Sequence, residues 1–505
     1  MSSRIDHTIR NTIFGLVLKI ITLVGAFASR SMLIYTLGVE YVGLDGLFSS
    51  ILTMLSMAEL GFGSAVVFKL YKPLAEDDTP RVCALLNFYR KVYFYIGMAV
   101  FLLGIMLIPF LRFLVKGEIP NNLNLAILYM IYLLNTCFSY WVFAYKTVLI
   151  NALNRNDIVS KVSSIAYIIK YGSQFLLLML FHNYYVYAII IPLTTLGLNI
   201  GNELITKKYY SKYICKGTID QSDKNEIKVK VSALIFNKLG VTIISASDNI
   251  VISSCLGLTL LGIYDSYFYI FTMLYYFFSV FHTAVTAGVG NSIITENLES
   301  NYSLYKRIVF INSWAVGWAA ICLACLYEPF MSVWIGSNRV LGEKFAIIMS
   351  IYFYFWLIRF VTTIFKNAQG LWVEDRFRAA IEGVVNLILN LIMVRFIGIY
   401  GITISTIAAM LIISLPWETA VLYKKYFHRS PGGYYKVMLK WFIITVAAGA
   451  ITFLLGSLIP LNGIKLFFVR LVICLLIPNI LFYVCNRKKE EFLYSVNLAK
   501  RIISK

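Results

Sequence analysis

Long apolar segments separated by short charged ones recur along the whole chain, and this pattern limits the fold more than any other feature. A transmembrane helix needs about 20 mostly apolar residues. The sequence offers fourteen such segments, at residues 13–37, 43–69, 92–114, 123–149, 158–181, 184–206, 229–256, 260–290, 308–334, 345–366, 378–397, 399–423, 437–459 and 464–484. We therefore predict an all-α polytopic membrane protein with about 14 transmembrane helices.

The composition supports the same fold class. Hydrophobic residues make up 59% of the 505 residues and charged residues 14%, against about 45–50% and about 25% in soluble domains. A soluble fold of this size cannot hide so much apolar side chain. The turns assigned to the outer side are too short for the catalytic loop that a polysaccharide polymerase or a lipid-linked glycosyltransferase would need, so we expect no enzyme.

Positive charge is concentrated on one side of the predicted topology. Lys and Arg number 45 against 25 Asp and Glu, which gives a formal net charge of +20. Most of the excess lies in alternate loops and in the two tails, and the positive-inside rule then places both termini in the cytoplasm. The charge is explained by topology, so we expect no nucleic-acid partner.

The sequence carries no pattern for a metal or a cofactor. Cys322 and Cys325 form a C-x-x-C pair, but the pair lies in an apolar run without a second Cys or His pair nearby. The four histidines are scattered and form no zinc-binding spacing. We expect no metal site and no cofactor.

The chain aligns with itself at an offset of 213–220 residues. Matching segments include 37–43 with 256–262, 89–91 with 305–307, and 207–209 with 424–426. Each repeat holds six predicted helices, an even number, so both repeats enter the membrane from the same side. The interpretation is two parallel-related six-helix lobes, 1–215 and 216–432, followed by two extra C-terminal helices and a cytoplasmic tail in 433–505.

Ionisable and polar residues recur on single faces of several predicted helices. Charged groups in a membrane are costly and mark the interior of a helix bundle. The basic and polar candidates for substrate binding are Lys19, Arg30, Tyr167, Lys170, Gln174 and Arg359. Lys and Arg at mid-depth can hold a phosphate or diphosphate, and Tyr and Ser suit sugar hydroxyls. These stripes can equally be packing and hydrogen-bonding contacts between helices.

Three acidic residues inside predicted helices, Glu59, Asp248 and Asp265, are candidates for ion coupling or gating. Together with Glu418 they support an alternative function, an ion-coupled antiporter for drugs or metabolites. Basic groups outnumber these acids at depth, which favours an anionic substrate.

The N-terminal region resembles oligosaccharide flippases of the Wzx type, in the multidrug/oligosaccharidyl-lipid/polysaccharide exporter superfamily. The resemblance is carried by Arg30, by the segments 37–44 and 55–63, and by 70–75 and 89–91. It covers about residues 1–95 closely and extends over the whole chain through the repeat and the helix count. No residue-by-residue site pattern transfers with it.

The resemblance implies a multi-pass protein of the bacterial plasma (inner) membrane. Such a protein would flip an undecaprenyl-diphosphate-linked oligosaccharide repeat unit from the cytoplasmic to the outer leaflet, for surface polysaccharide assembly. Two lobes would alternate access to a cationic cavity. The implied partners are the lipid-linked oligosaccharide, membrane lipids, H⁺ or Na⁺ as candidate coupling ions, and other polysaccharide-assembly proteins.

Overall fold

The computed structural model describes residues 2–59, 61–117, 119–120, 123–461 and 463–503, apart from the side chains of 2–9, 58, 229–230, 232–237, 498–499 and 501–503. Helices and their connecting turns account for this described part, in which no strand occurs. The chain divides into two compact units, residues 1–262 and 263–505. The predicted all-α class is confirmed, whereas the three-part division at 215 and 432 stays a prediction.

The first unit holds nine helices in its described part and the first residues of a tenth. They are α1 (Ser2–Thr36), α2 (Val39–Leu55), α3 (Phe62–Ala75), α4 (Thr79–Leu107), α5 (Leu125–Trp141), α6 (Ala144–Ala152), α7 (Asn156–Phe181), α8 (Tyr184–Tyr209) and α9 (Gln221–Cys255). A short 3₁₀ segment, Ser56–Glu59, separates α2 from α3. Gly61 then adopts a φ of 91°, so the predicted second helix is broken near its middle.

The second unit contains most of α10 and, among the described residues, nine further α-helices. They are α10 (Leu258–Thr295), α11 (Leu298–Trp334), α12 (Glu343–Ile358), α13 (Phe360–Ala368), α14 (Arg378–Ile397), α15 (Ile399–Ala409), α16 (Leu415–Leu422), α17 (Gly432–Ser457), α18 (Gly463–Asn486) and α19 (Glu490–Ile503). A π-helical stretch, Met410–Ser414, joins α15 to α16.

All fourteen predicted segments lie on helices. Among the described residues, eleven helices are long and apolar enough to cross a membrane, or twelve if the α5–α6 pair, bent by 49°, is one span. The two segments outside this group are the broken α2–α3 pair and α9. Many large apolar side chains on these helices face outward, Ile165 at 62% exposure and Leu454 at 62% among them. Lipid tails are the solvent that accommodates such a surface, so the multi-pass membrane assignment is supported, while the number fourteen stays unconfirmed.

Two pairs of glycines occupy matching positions of the sequence repeat. One pair lies at the same kind of turn, and the other pair packs together. Gly38 and Gly257 have φ values of 124° and 100°, each directly before a helix start, a conformation that glycine adopts without a Cβ clash. Five residues further on, Gly43 and Gly262 bring α2 against the start of α10 within the first unit. A Cβ on Gly43 would lie 3.0 Å from the carbonyl carbon of Leu258, and one on Gly262 3.0 Å from the Gly43 nitrogen. Only glycine permits this approach of two backbones.

The connection between α8 and α9 docks on the start of α4. Asn87 donates a hydrogen bond from Nδ2 to the Gly217 carbonyl over 2.9 Å. Asp223, at the start of α9, lies 3.0 Å from Arg81 Nη2 and 3.1 Å from Lys69 Nζ. Burial disfavours the charged form of Asp223, but the hydrogen bonds from Arg81 and Lys69 outweigh it and lower the pKa of Asp223 below its ordinary value. This contact fixes α9 to α3 and α4.

The last three helices pack against α11. Trp441 of α17, Cys474 and Phe482 of α18 and Phe310 of α11 form a buried apolar cluster, against which Phe492 of α19 packs. Cys322 and Cys325 belong to the same packing region, so the C-x-x-C pair lies in an apolar core. The two extra C-terminal helices are therefore integral to the second unit.

Candidate functional site

Five helices of the first unit meet around a group of hydrogen-bonded polar side chains. Ser29 of α1 donates from Oγ to Gln174 Oε1 of α7 over 3.0 Å, and the same Oγ lies 3.3 Å from the Tyr187 hydroxyl of α8. Gln174 in turn donates to the Tyr187 carbonyl over 3.4 Å. All three side chains are buried. Gln174, a predicted substrate-binding residue, therefore ties α1, α7 and α8 together.

Asp45 of α2 is the acidic centre of this group. The Tyr132 hydroxyl of α5 donates to Asp45 Oδ1 over 2.5 Å and lies 2.9 Å from the Tyr184 hydroxyl of α8. Asp45 also interacts electrostatically with Lys170 and Tyr187. Sequence reasoning missed Asp45. It lies two residues inside the predicted segment 43–69, so the rule that flags ionisable residues in apolar helices could have found it.

Lys170 is the basic counterpart on α7. It is half-buried, its Nζ lies 5.3 Å from the ring centroid of Tyr171, and it has no hydrogen-bond or ion-pair partner among the residues that the structure describes. A Cβ on Gly25 of α1 would lie 2.7 Å from Tyr171 Cε2, so this glycine lets the Tyr171 ring pack against α1. Tyr167 packs against Tyr171 with centroids 6.2 Å apart.

Arg30 follows Ser29 directly on α1 and interacts electrostatically with Tyr187. Lys19 is half-buried eleven residues earlier on the same helix, about three turns away.

We call the following eight residues the N-terminal polar cluster: Ser29, Arg30, Asp45, Tyr132, Lys170, Gln174, Tyr184 and Tyr187. It contains two cations and one carboxylate, and Lys19 adds a third cation along α1. The net charge favours an anion, and the phenols supply donors suited to phosphate or sugar oxygens.

Arg359, the remaining basic candidate, lies in the second unit within a different environment. Its Nη1 is 3.6 Å from Glu418 Oε2. Glu418 also lies 3.2 Å from Arg378 Nη2 and 3.9 Å from Lys366 Nζ. Asp375 and Glu382 complete the group, with Arg378 2.9 Å from the first and 3.0 Å from the second. We call these six residues, Arg359, Lys366, Asp375, Arg378, Glu382 and Glu418, the C-terminal ion network. Three cations meet three carboxylates, so its formal charge is balanced.

One ion pair occurs at matching places in both units. Lys146 Nζ of α6 lies 3.2 Å from Glu203 Oε2 of α8, as Lys366 of α13 lies 3.9 Å from Glu418 Oε1 of α16. Lys146 and Lys366 are buried, at 7% and 2% exposure. The positions of both pairs agree with the sequence repeat. Each lysine is buried beside a carboxylate inside its own unit.

The three gating candidates occupy separate places. Glu59 lies at the α2–α3 break and accepts a hydrogen bond from the Tyr93 hydroxyl of α4. Asp248 is buried on α9, where its neighbour Asn249 donates to Ser50 Oγ of α2 over 3.0 Å. Asp265 is buried on α10 in the second unit. In the part of the chain that the structure describes, no group of three or more His, Cys, Asp or Glu side chains has the arrangement of a metal site.

Comparison with solved structures places the fold among known transporters. A lipid II flippase MurJ in an inward closed conformation matches with a TM-score of 0.66 and 16% identity, over 95% of this chain and 99% of that one. An inward-facing multidrug resistance MATE family transporter of the MOP superfamily matches with a TM-score of 0.61 and 14% identity, over 79% and 93%. A MATE structure in complex with MaL6 gives 0.53 and 13%, over 83% and 96%.

No protein family model matches the sequence, and no curated protein matches it either. The structural likeness at these low identities establishes the fold, which is that of MOP superfamily transporters. The superfamily and the Wzx-type assignment expected from the sequence belong to the proposal below.

Proposed function

We propose that the protein is a flippase that moves an undecaprenyl-diphosphate-linked oligosaccharide from the cytoplasmic to the outer leaflet of a bacterial plasma membrane. The observation that carries the proposal is the N-terminal polar cluster, in which Lys170 has no ion-pair partner at bonding distance among the described residues. A charge in such a place costs about 2.5–3.5 kcal/mol on insertion scales. A free-energy cost of this size in inserting the helix is expected to persist in a protein where the charged side chain binds a substrate.

The chemistry of the cluster fits a glycosylated diphosphate. Lys170 and Arg30 would donate charge-assisted hydrogen bonds to the diphosphate oxygens. Asp45 interacts with Lys170 and would offset its charge while no substrate is bound. Tyr132 and Tyr184, whose hydroxyls lie 2.9 Å apart, would bind sugar hydroxyls. Transporters built from parallel repeats work by rocking two halves around a central site. In the proposed orientation both termini of this chain lie on the cytoplasmic side, as its charge distribution predicts.

The test compares Lys170→Gln and Arg30→Gln with a matched control on the same helix, Lys161→Gln. Lys161 lies 3.6 Å from Asp157, which keeps a second partner in Arg155. Flipping of a labelled polyprenyl-diphosphate glycolipid is measured in proteoliposomes by the label's accessibility in the outer leaflet. Loss of one hydrogen bond to a charged group costs about 1.5–3 kcal/mol, so we expect about 10- to 150-fold slower flipping at low substrate concentration.

The control should flip at the wild-type rate, and all variants should reconstitute equally. In cells, the two variants should block surface polysaccharide and accumulate the lipid-linked unit inside. Wild-type flipping by both Lys170→Gln and Arg30→Gln would refute a cationic substrate site in the first unit.

A second candidate, an ion-coupled antiporter for drugs or metabolites, is favoured by one observation. Asp45 and Glu59 each accept a hydrogen bond from a tyrosine, Tyr132 and Tyr93, inside the first unit. Carboxylates held in this way can exchange a proton or bind Na⁺. If Asp45→Asn and Glu59→Gln abolish efflux of cationic dyes while glycolipid flipping is absent in the wild type, the antiporter replaces the flippase.

A further inference from the structure

A pocket of about 450 Å³ lies within the second unit, between α11, the first turns of α17 and the turn that joins α18 to α19. Three lysines from these three elements line it, Lys306, Lys440 and Lys489, with Glu491 at its edge. Aromatic side chains form the rest of its wall, among them Tyr302 and Trp441. None of these residues belongs to the N-terminal polar cluster or to the C-terminal ion network.

Lys489 is held among aromatic rings and near another cation. Its Nζ lies 5.7 Å from the ring centroid of Phe310 and 5.7 Å from that of Trp441. Burial first, and then the nearby Lys440, lower the pKa of Lys489. Lys440 and Lys489 line the same pocket, and two ammonium groups in one pocket repel each other unless an anion lies between them. Within the described residues, no carboxylate approaches Lys306, Lys440 or Lys489 to ion-pair distance, although Glu491 acts on Lys489 from further away.

A second unsatisfied group borders the same pocket. The Trp441 side chain is 1% exposed, and its indole Nε1 has no hydrogen-bond partner in the described structure. A buried donor left unpaired lowers the stability of the fold. The pocket therefore contains lysines without an ion-pair partner and an unpaired indole N–H. An anion with several oxygen atoms would satisfy both kinds of donor.

The pocket's surroundings indicate where that anion comes from. Leu439 and Val437, beside Lys440 on α17, are 59% and 43% exposed, so the apolar surface of the helix reaches the pocket. Tyr and Trp are enriched where lipid headgroups meet the hydrocarbon core. Basic pockets between helix ends bind the headgroups of anionic lipids. A ligand here can place its phosphate among the lysines and its acyl or prenyl chains along the exposed apolar face of α17.

We propose that this pocket binds the phosphate group of a membrane lipid, as a second site besides the N-terminal polar cluster. Two lipids offer this chemistry, an anionic phospholipid and a polyprenyl diphosphate. The site would hold the α17–α19 region against α11 in a manner that depends on the lipid present.

The test uses the full-length protein purified in detergent and measures lipid binding by native mass spectrometry. The probes are phosphatidylglycerol, a polyprenyl diphosphate, zwitterionic phosphatidylcholine and inorganic phosphate. The pocket variant is Lys440→Gln/Lys489→Gln. The matched control is Lys436→Gln/Lys488→Gln, which removes the same charge from the same two elements at exposed lysines outside the pocket.

We expect the pocket variant to bind phosphatidylglycerol about 30-fold more weakly than the wild type, which corresponds to about 2 kcal/mol at 1.4 kcal/mol per tenfold. The control should bind as the wild type does. Lys440→Glu provides a second variant at an exposed position, since the new carboxylate would pair with Lys489 and occupy the anion's place. It should lose binding while keeping its thermal midpoint.

The lipid probes separate the two sources. Tighter binding of the polyprenyl diphosphate assigns the pocket to the cargo's path, and tighter binding of phosphatidylglycerol assigns it to the surrounding bilayer. Equal loss in pocket and control variants, equal binding of phosphatidylcholine, or displacement of the lipid by inorganic phosphate at similar concentration would each overturn the proposal.

Discussion

Substituting Arg378 by methionine removes the cation that contacts the most carboxylates in the C-terminal ion network. Its guanidinium lies 2.9 Å from Asp375, 3.0 Å from Glu382 and 3.2 Å from Glu418. Without it, three buried carboxylates face two cations. Breaking a buried ion pair by removing one partner costs about 3–5 kcal/mol, because an uncompensated charge stays in a poorly solvated place.

At about 2–4 °C per kcal/mol for a unit of this size, the variant should unfold about 6–20 °C below the wild type. The assay is thermal unfolding of the detergent-purified protein, followed by tryptophan fluorescence. Arg395→Met is the matched control, because Arg395 is exposed on the same helix, α14. It should stay within about 0.5 kcal/mol of the wild type.

The double variant Arg378→Met/Glu382→Gln separates charge balance from loss of packing. It leaves two cations and two carboxylates, and removing both partners of a buried pair is often close to neutral. We expect it to recover at least half of the loss in thermal midpoint. A single variant within about 2 °C of the wild type, or a double variant no better than the single one, would refute the view that charge balance stabilises this network.

Two further predictions concern the first unit. Gly43→Ala places a Cβ against the Leu258 carbonyl, and overpacking of this kind costs about 1–3 kcal/mol; a thermal midpoint equal to that of the wild type would contradict the close backbone approach. The pKa of Asp223 is lowered in the folded state by Arg81 and Lys69, against the effect of burial, so its stabilisation is complete above the ordinary Asp pKa and is lost as the pH falls through the lowered value. Thermal midpoints over an acidic pH series should therefore fall less steeply for Asp223→Asn, and identical slopes would count against the ion pairs.

Helix positions were predictable because hydrophobicity over about 20 residues is a strong local signal. The segments 158–181 and 184–206 differ little from the observed α7 and α8, Asn156–Phe181 and Tyr184–Tyr209. Breaks inside segments were not predictable from this signal. The 3₁₀ turn Ser56–Glu59 and the bend between α5 and α6, where Phe143 adopts a φ of 53°, each lie inside a single predicted apolar segment.

The site was predicted only in part, because one helix shows which face is polar but not which partner meets it. Lys170 and Arg30 were selected for their depth in apolar helices, and their role in binding stays a prediction. The ion-pair partner of Arg359, Glu418, is 59 positions further along the chain, and its contact depends on how α12, α13 and α16 pack. Asp45 was missed although its own position in an apolar helix was sufficient to flag it.

The two units use the polar stripe of the same repeated helix differently, and this difference argues for where substrate binds. On α14, Arg378 pairs with Glu382, and Asn390 Nδ2 donates to Asn386 Oδ1 over 3.2 Å. Arg378 also pairs with Asp375 and Glu418, and Asn386 donates to Thr406 of α15, so the charge of this stripe is balanced by its neighbours and its remaining members are neutral amides. On α7, the corresponding stripe contains Lys170, for which no described carboxylate lies at ion-pair distance.

The pairs Lys146–Glu203 and Lys366–Glu418 show that the two units share one polar contact at matching places. The polar face of α7 differs from that of α14, because Lys170 has no carboxylate at ion-pair distance among the described residues, and an ammonium in an apolar helix lowers stability unless an anion approaches it. A stabilising role accounts for the second unit's balanced network, whereas the N-terminal polar cluster holds more cations than carboxylates, which is the property that a negatively charged ligand would use. The substrate anion is therefore expected at α1 and α7.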